Sequence, residues 1–184
     1  MARYLGTKAP YWVTWKQACE SYIEEYSRVF GLRYTILRFG SLYGPRADVS
    51  NGVYRLLRTA MVEGRIKHNG APDDIREYIH VEDAARLTVD ILADEFAGEQ
   101  VVLTGHHPLR FGDLLALVRE VVGDDVQIDL HAPDADAPGS AHYAITPYAF
   151  RPRVARKLIS SYYIDMGQGL VDCLAEIHEA QPGS

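Results

Sequence analysis

Short strand-like segments alternate with amphipathic helical ones along this chain, and that alternation limits the fold more than any other feature. Residues 12–30 carry Ala18, Tyr22, Tyr26 and Phe30 at helical spacing, and Gly31 ends the run. In "GLRYTILRFGSLYGPR", residues 34–39 are β-rich and Gly40 opens a loop closed by Gly44-Pro45. "NGVYRLLRTAMVEG" predicts a helix over residues 52–63, and "RIKHNG" a short strand and turn. "IREYIHV" predicts a strand, and Glu82-Asp83 starts the next helix with acids in its first turn. "EQVVLTG" reads as a buried-type strand and "FGDLLALVREVVG" as a helix with an apolar face. "VQIDL" alternates like a strand, residues 132–140 form an acidic connector, and "GQGLVDCLAEIHEA" is a last amphipathic helix. Strands alternating with helices predict the α/β class.

Composition narrows the function classes. A chain of 184 residues, 47% hydrophobic and 24% charged, has material for a real core in one domain or one and a half. A net charge of −6 argues against general nucleic-acid binding. Cys19 and Cys173 fit neither a metal spacing nor a disulfide framework, which points to a reducing, cytoplasmic compartment. There is no signal-peptide-like apolar region at the start, and no apolar run reaches membrane-spanning length. His106-His107 lack a third ligand and, as chain neighbours, do not suit one ion. No histidine stands near Cys19 in sequence to activate it as a nucleophile.

The stretch "APYWVTWKQACE" holds the candidate chemistry. A tyrosine four residues before a lysine shares its helix face, and the cation can pull the phenol toward neutral titration. Here Tyr11 and Lys16 are five apart. "YLGTK" supplies Tyr4 and Lys8 at four, but they lie far upstream. The first sixty residues contain no glycine-rich strand-to-helix turn, since "FGSLYGP" leads into a proline loop.

Four stretches together resemble the later half of an extended short-chain dehydrogenase/reductase, of the NAD-dependent nucleotide-sugar epimerase/dehydratase family. "PYWVTWKQACE" is similar to the family's P-Y-x-x-S/T-K-x-x-x-E, and "GLRYTILRFGSLYGPR" to its strand and loop ending R-x-x-N-x-Y-G-P-R. "IREYIHVEDAA" is similar to R-D-[FY]-I-H-V-x-D-x-A, and "VVLTG" with its helix to the closing strand and helix. The resemblance implies a remnant of a Rossmann-type parallel sheet plus the small C-terminal substrate-binding α/β lobe. Residues 1–48 would end the dinucleotide-binding domain with its catalytic helix. Residues 49–184 would form the lobe, with 99–122 returning a strand and helix to the first domain.

The resemblance also implies roles. Lys16 and Glu20 keep the family offsets, Lys16 as support for the acid/base and as a contact to the cofactor ribose. Trp12 falls where the family tyrosine stands, and Tyr11, one step away, is the candidate acid/base. Arg76 matches the arginine that grips the substrate diphosphate, as a guanidinium fork suits phosphate; its alternative is a strand arginine paired with Asp74 or Glu77. Ser41 replaces a substrate-binding asparagine. Asn51 stands at a helix start, as a substrate contact or a plain cap. His80 and Asp83 read as structural.

The expected function is NAD- or NADP-dependent oxidoreduction of a nucleotide sugar. The cofactor is not expected to bind this chain alone, because the glycine loop has no counterpart. The expected partners are a nucleotide sugar and either a second copy or a separate NAD-binding chain, with no nucleic acid and no membrane. The alternatives are a non-catalytic nucleotide-sugar binding module and an idle remnant.

Overall fold

The computed structural model describes residues 11–69, 71–131 and 155–180. Tyr4, Lys8 and the acidic connector at 132–140 lie outside them. Helix α1 (Tyr11–Phe30) comes first. Strand β1 (Ile36–Phe39) pairs in parallel with β5 (Gln100–Leu103), which pairs in parallel with β8 (Arg156–Leu158). A second sheet sets β2 (Ser41–Tyr43) parallel to β4 (Ile75–His80) and β4 antiparallel to β6 (Pro108–Arg110). A third pairs β3 (Arg65–Asn69) in parallel with β7 (Gln127–His131). Parallel pairing needs crossovers of a dozen residues or more. Helices α2 (Gly52–Glu63), α3 (Val81–Asp90) and α4 (Phe111–Val122) lie within these crossovers, and α5 (Met166–Glu179) closes the described chain.

The α/β class holds, and β1 and β5 pair in parallel, in register from Ile36↔Gln100 to Phe39↔Leu103. The segment after Gly40 differs from its sequence reading. It is strand β2, not loop, because Ser41–Tyr43 find partners in Tyr78–His80. Three residues are too few to show a period of two, so pairing across some 37 positions of sequence decides their state. Strands β6 and β8, of three residues each, escape sequence reading for the same reason.

Two cores form. Leu57, Ile66, Leu114, Leu115, Val118 and Leu170 meet between α2, α4, α5 and β3. Val101 and Leu103 of β5 join Ile79, Leu87, Ile91 and Phe96 in a smaller core beside the first sheet. Strand β5 thus belongs with β1, whereas α4 packs with α2 and α5.

Strand β4 crosses the ends of β1 and β5 at two glycines. A Cβ on Gly40 would stand 2.6 Å from the Glu77 carbonyl oxygen, and one on Gly105 would stand 2.1 Å from that of Tyr78. Neither position accepts a side chain while β4 keeps its place.

Candidate functional site

Two polar contacts fix the direction of α1. Glu20 takes both Nε and Nη2 of Arg38, at 2.8 and 2.6 Å, and Gln100 donates to Glu24 at 2.7 Å. Gln100 pairs with Ile36, so Glu24 stands level with residue 36 and Glu20 with residue 38. Four helical residues rise about 6 Å and two strand residues about 6.6 Å, so the steps match. Helix α1 therefore runs antiparallel to β1. Lys16, exposed and one turn before Glu20, comes level with Gly40. That is the carboxyl end of the parallel strands, where open α/β sheets bind ligands.

The helix is α-helical from Tyr11 onward. At about 100° per residue, position 11 sits about 140° around the axis from Lys16 and position 12 about 40°. The position one turn before the lysine is Trp12, and indole has no proton for acid/base work.

Ser41 and Arg76 come together on the second sheet. Ser41 pairs with Tyr78, and Arg76 lies two residues earlier on β4. Strand spacing sets their Cα atoms about 8 Å apart on one face. The Arg76 guanidinium is mostly buried. It donates to the Ile75 carbonyl at 3.1 Å and pairs with Asp74 at 3.4 Å. Asn51 caps α2: its Oδ1 accepts from the amides of Val53 and Tyr54, and its Nδ2 donates to the Leu42 carbonyl. Among the described residues its second amide hydrogen has no acceptor.

Other side chains surround this edge. Lys157 of β8 reaches buried Glu77 at 2.7 Å and ties the first sheet to β4. His80, buried at the end of β4, accepts the Glu82 amide at Nδ1 and caps α3. Burial pushes its pKa below the usual value, so the ring is neutral near pH 7. Asp83 accepts the Ile164 amide and stands 3.6 Å from Arg86. His80 and Asp83 thus hold elements together, as their sequence reading has it. His106 bonds the Ser160 carbonyl, and its ring lies 3.9 Å from that of Tyr163, centroid to centroid, at a tilt of 31°.

A cavity of about 150 Å³ opens between Tyr43, Tyr78, His80, Thr104, His106 and Tyr163. Burial raises the Tyr43 phenol and pushes that of Tyr78 up to about 12. Both stay protonated at neutral pH, so neither replaces the base of a tyrosine–lysine pair. The ties made by Lys157 and Glu77 were not foreseen in sequence. They join strands 80 residues apart, and no local pattern announces such a pair.

The edge fits a dinucleotide only in part. Among the described residues, β1 leads through Gly40 into β2, and β5 leads through Gly105 to β6. No glycine turn there opens directly into a helix that would cradle a pyrophosphate.

Comparison with known proteins agrees with this geometry. Residues 2–104 match the model of the NAD dependent epimerase/dehydratase family. The dTDP-glucose 4,6-dehydratase of Mycolicibacterium smegmatis is 25% identical over 166 residues, 90% of this chain and 49% of that protein. The UDP-glucuronate 4-epimerase of Thermodesulfobacterium geofontis is 23% identical over 117 residues, 62% of this chain and 35% of that one. The chain spans half or less of the length of these curated relatives. Among solved structures, the UDP-glucuronic acid 4-epimerase of Bacillus cereus in complex with NAD superposes with a TM-score of 0.72 at 21% identity. The match covers 94% of this chain and 53% of that one. The UDP-glucose 4-epimerase of Thermotoga maritima with UDP-glucose gives 0.66 at 22% identity, over 89% and 52%.

Proposed function

The chain belongs to the NAD dependent epimerase/dehydratase family, and from that premise we propose that it supplies the lysine-bearing helix and the substrate lobe of a nucleotide-sugar epimerase or dehydratase. The observation that carries this reading is the level of Lys16. It stands at the carboxyl edge of β1 and β5, beside the sheet that bears Ser41 and Arg76.

In this reading Arg76 binds a phosphate oxygen of the nucleotide sugar and Ser41 hydrogen-bonds the substrate. Asn51 contributes by capping α2 beside them, with its spare amide hydrogen open to substrate. Lys16 holds positive charge at the edge, stabilises a phenolate and meets a ribose hydroxyl. Tyr11 is the candidate acid/base by resemblance; in the regular helix it stands about 140° around the axis from Lys16, so the pair forms only when the first turn of α1 rewinds. A nicotinamide cofactor, NAD or NADP, supplies the hydride acceptor when bound. Its phosphate cradle comes from a dinucleotide-binding half outside this sequence, which pairs with the edge of β1 that no described strand occupies. The isolated chain is inactive.

The test is a calorimetric titration of the chain with UDP-, dTDP- and GDP-sugars and with NAD. Saturable nucleotide-sugar binding, weakened at least tenfold by Arg76→Ala, is expected, together with no measurable NAD binding. No sugar-nucleotide binding at all sinks the reading, and tight stoichiometric NAD binding removes the need for another half.

A second reading is a non-catalytic nucleotide-sugar binding module. It is favoured by Trp12 at the position one turn before Lys16. Adding the dinucleotide-binding half of a relative separates the two, because only the catalytic reading predicts turnover.

A further inference from the structure

We propose that Glu176, near the end of α5, is a positioning residue for the Ser41 strand, acting through the backbone of Arg46. Arg46 has φ +63°, and it is the one non-glycine residue with positive φ among the described residues. A side chain other than glycine meets steric resistance in that left-handed region, so the conformation needs outside support. Glu176 supplies it. The Arg46 amide donates to both carboxylate oxygens, at 3.0 and 2.7 Å, across 130 residues of sequence.

The contact is one of three in a row. Residues 169, 173 and 176 share one face of α5 by helical spacing. They meet Tyr43, Gly44 and Arg46 in the same order. Gly169 lies so close that a Cβ would stand 2.7 Å from the Tyr43 ring. The Gly44 backbone lies close to the buried Cys173 side chain. Tyr43 is the last residue of β2, two after Ser41. The exit of the strand is thus bolted to a helix more than 120 residues away, while its middle is paired to β4.

Position 46 is where this row is adjustable. Tyr43 and Gly169 are locked by contact, whereas Arg46 is exposed and holds its shape against its own preference. Loss of the Glu176 carboxylate lets residue 46 leave the left-handed region. The exit of β2 then loosens, and Ser41 loses its setting against Arg76.

This proposal rests on the nucleotide-sugar reading for its effect on binding. The test compares Glu176→Ala, Glu176→Gln and the double variant Glu176→Ala/Arg46→Gly in the full chain. It reads UDP-glucose affinity by calorimetry and amide exchange at residues 41–43. Glu176→Ala is expected to weaken affinity about tenfold and to speed β2 exchange by a similar factor, with Glu176→Gln between it and the parent. The double variant is expected to recover most of both, because glycine adopts positive φ unaided. Recovery by a change that adds no contact separates positioning from simple loss of stability. Unchanged exchange in Glu176→Ala overturns the proposal, and so does a double variant as impaired as the single one. If the parent chain binds no UDP-glucose, the functional reading fails, yet β2 exchange still decides the clamp.

Discussion

Helices α1 and α5 are both amphipathic, and they end up in opposite conditions. Along α1, Trp15, Tyr22, Tyr26 and Val29 fall within about 60° of one another around the axis. All four are more than half exposed, Tyr22 at 70%. The face of α1 that meets the sheet is polar, with Glu20 and Glu24 as its contacts. Along α5, Leu170, Cys173 and Ile177 are at most 3% exposed, packed among α2 and α4. The core around α2, α4 and α5 is closed by described residues alone. The first sheet leaves the apolar stripe of α1 and one edge of β1 uncovered by any described residue. If the proposed second half or a second copy docks on this chain, that stripe is the surface it covers.

The largest expected effect breaks the joint between the two regions. Gly105→Ala puts a methyl group 2.1 Å from a backbone carbonyl, and neither β4 nor β5 can yield without losing its pairing. A loss above about 4 kcal/mol, seen as failure to reach a cooperative urea transition, is expected. Near-normal stability would mean that β4 crosses β5 less closely.

The next contrast is inside the lobe. Leu170 is fully buried, so Leu170→Ala is expected to cost about 3–5 kcal/mol through lost burial and the cavity left behind. Chemical denaturation measures it. A cost below 1 kcal/mol would say that α5 is no better packed than α1, and the comparison would collapse.

A smaller effect follows from the neutral His80 ring. Its folded pKa lies below the ordinary 6.5, and burial is the main cause. As pH falls through 6.5 the unfolded chain takes up a proton that the folded chain refuses. Stability is therefore lost from about 6.5 downward, at up to about 1.4 kcal/mol per pH unit until the folded value is reached. His80→Asn keeps a side-chain acceptor to cap α3 and cannot titrate. Urea midpoints between pH 7.5 and 5.5 should fall less steeply in the variant than in the parent; parallel slopes would show that the buried ring does not titrate in this range.

These differences follow how far each feature reaches along the chain. The stripe of α1, the apolar face of α4 and the β-rich run ending at Phe39 are local patterns, and the sequence shows them plainly. The α/β class follows from their order. What stays hidden depends on distant pairing. Ser41–Tyr43 form a strand only because β4 arrives beside them, and Glu77 has its cation only because β8 docks 80 residues later. Asn51 illustrates the middle ground. Its place before a helix is legible as a cap, but its bond to the Leu42 carbonyl is not. For Lys16 the sequence supplies a motif slightly out of register, and the ladder of Glu20, Glu24, Arg38 and Gln100 supplies its level at the sheet edge.

The smallest expected effect on folding bears most directly on the comparison. Tyr22→Ser with Tyr26→Ser removes two exposed rings from α1. Both residues are more than half exposed, so little burial is lost, and the unfolding free energy should move by less than about 0.5 kcal/mol per site. Association should respond differently. If the stripe is covered by a second copy or by a dinucleotide-binding half, two aromatic rings are lost from the centre of that contact, where such residues dominate binding. Sedimentation velocity over a concentration series should show the parent chain associating and the double variant shifted to the monomer. If the parent is already a clean monomer at high concentration, self-association is excluded. The stripe must then be tested against a dinucleotide-binding half, with the same variant expected to weaken that pairing. A double variant that loses stability like Leu170→Ala would instead mean that α1 buries its rings in solution, and the contrast between the two helices would not hold.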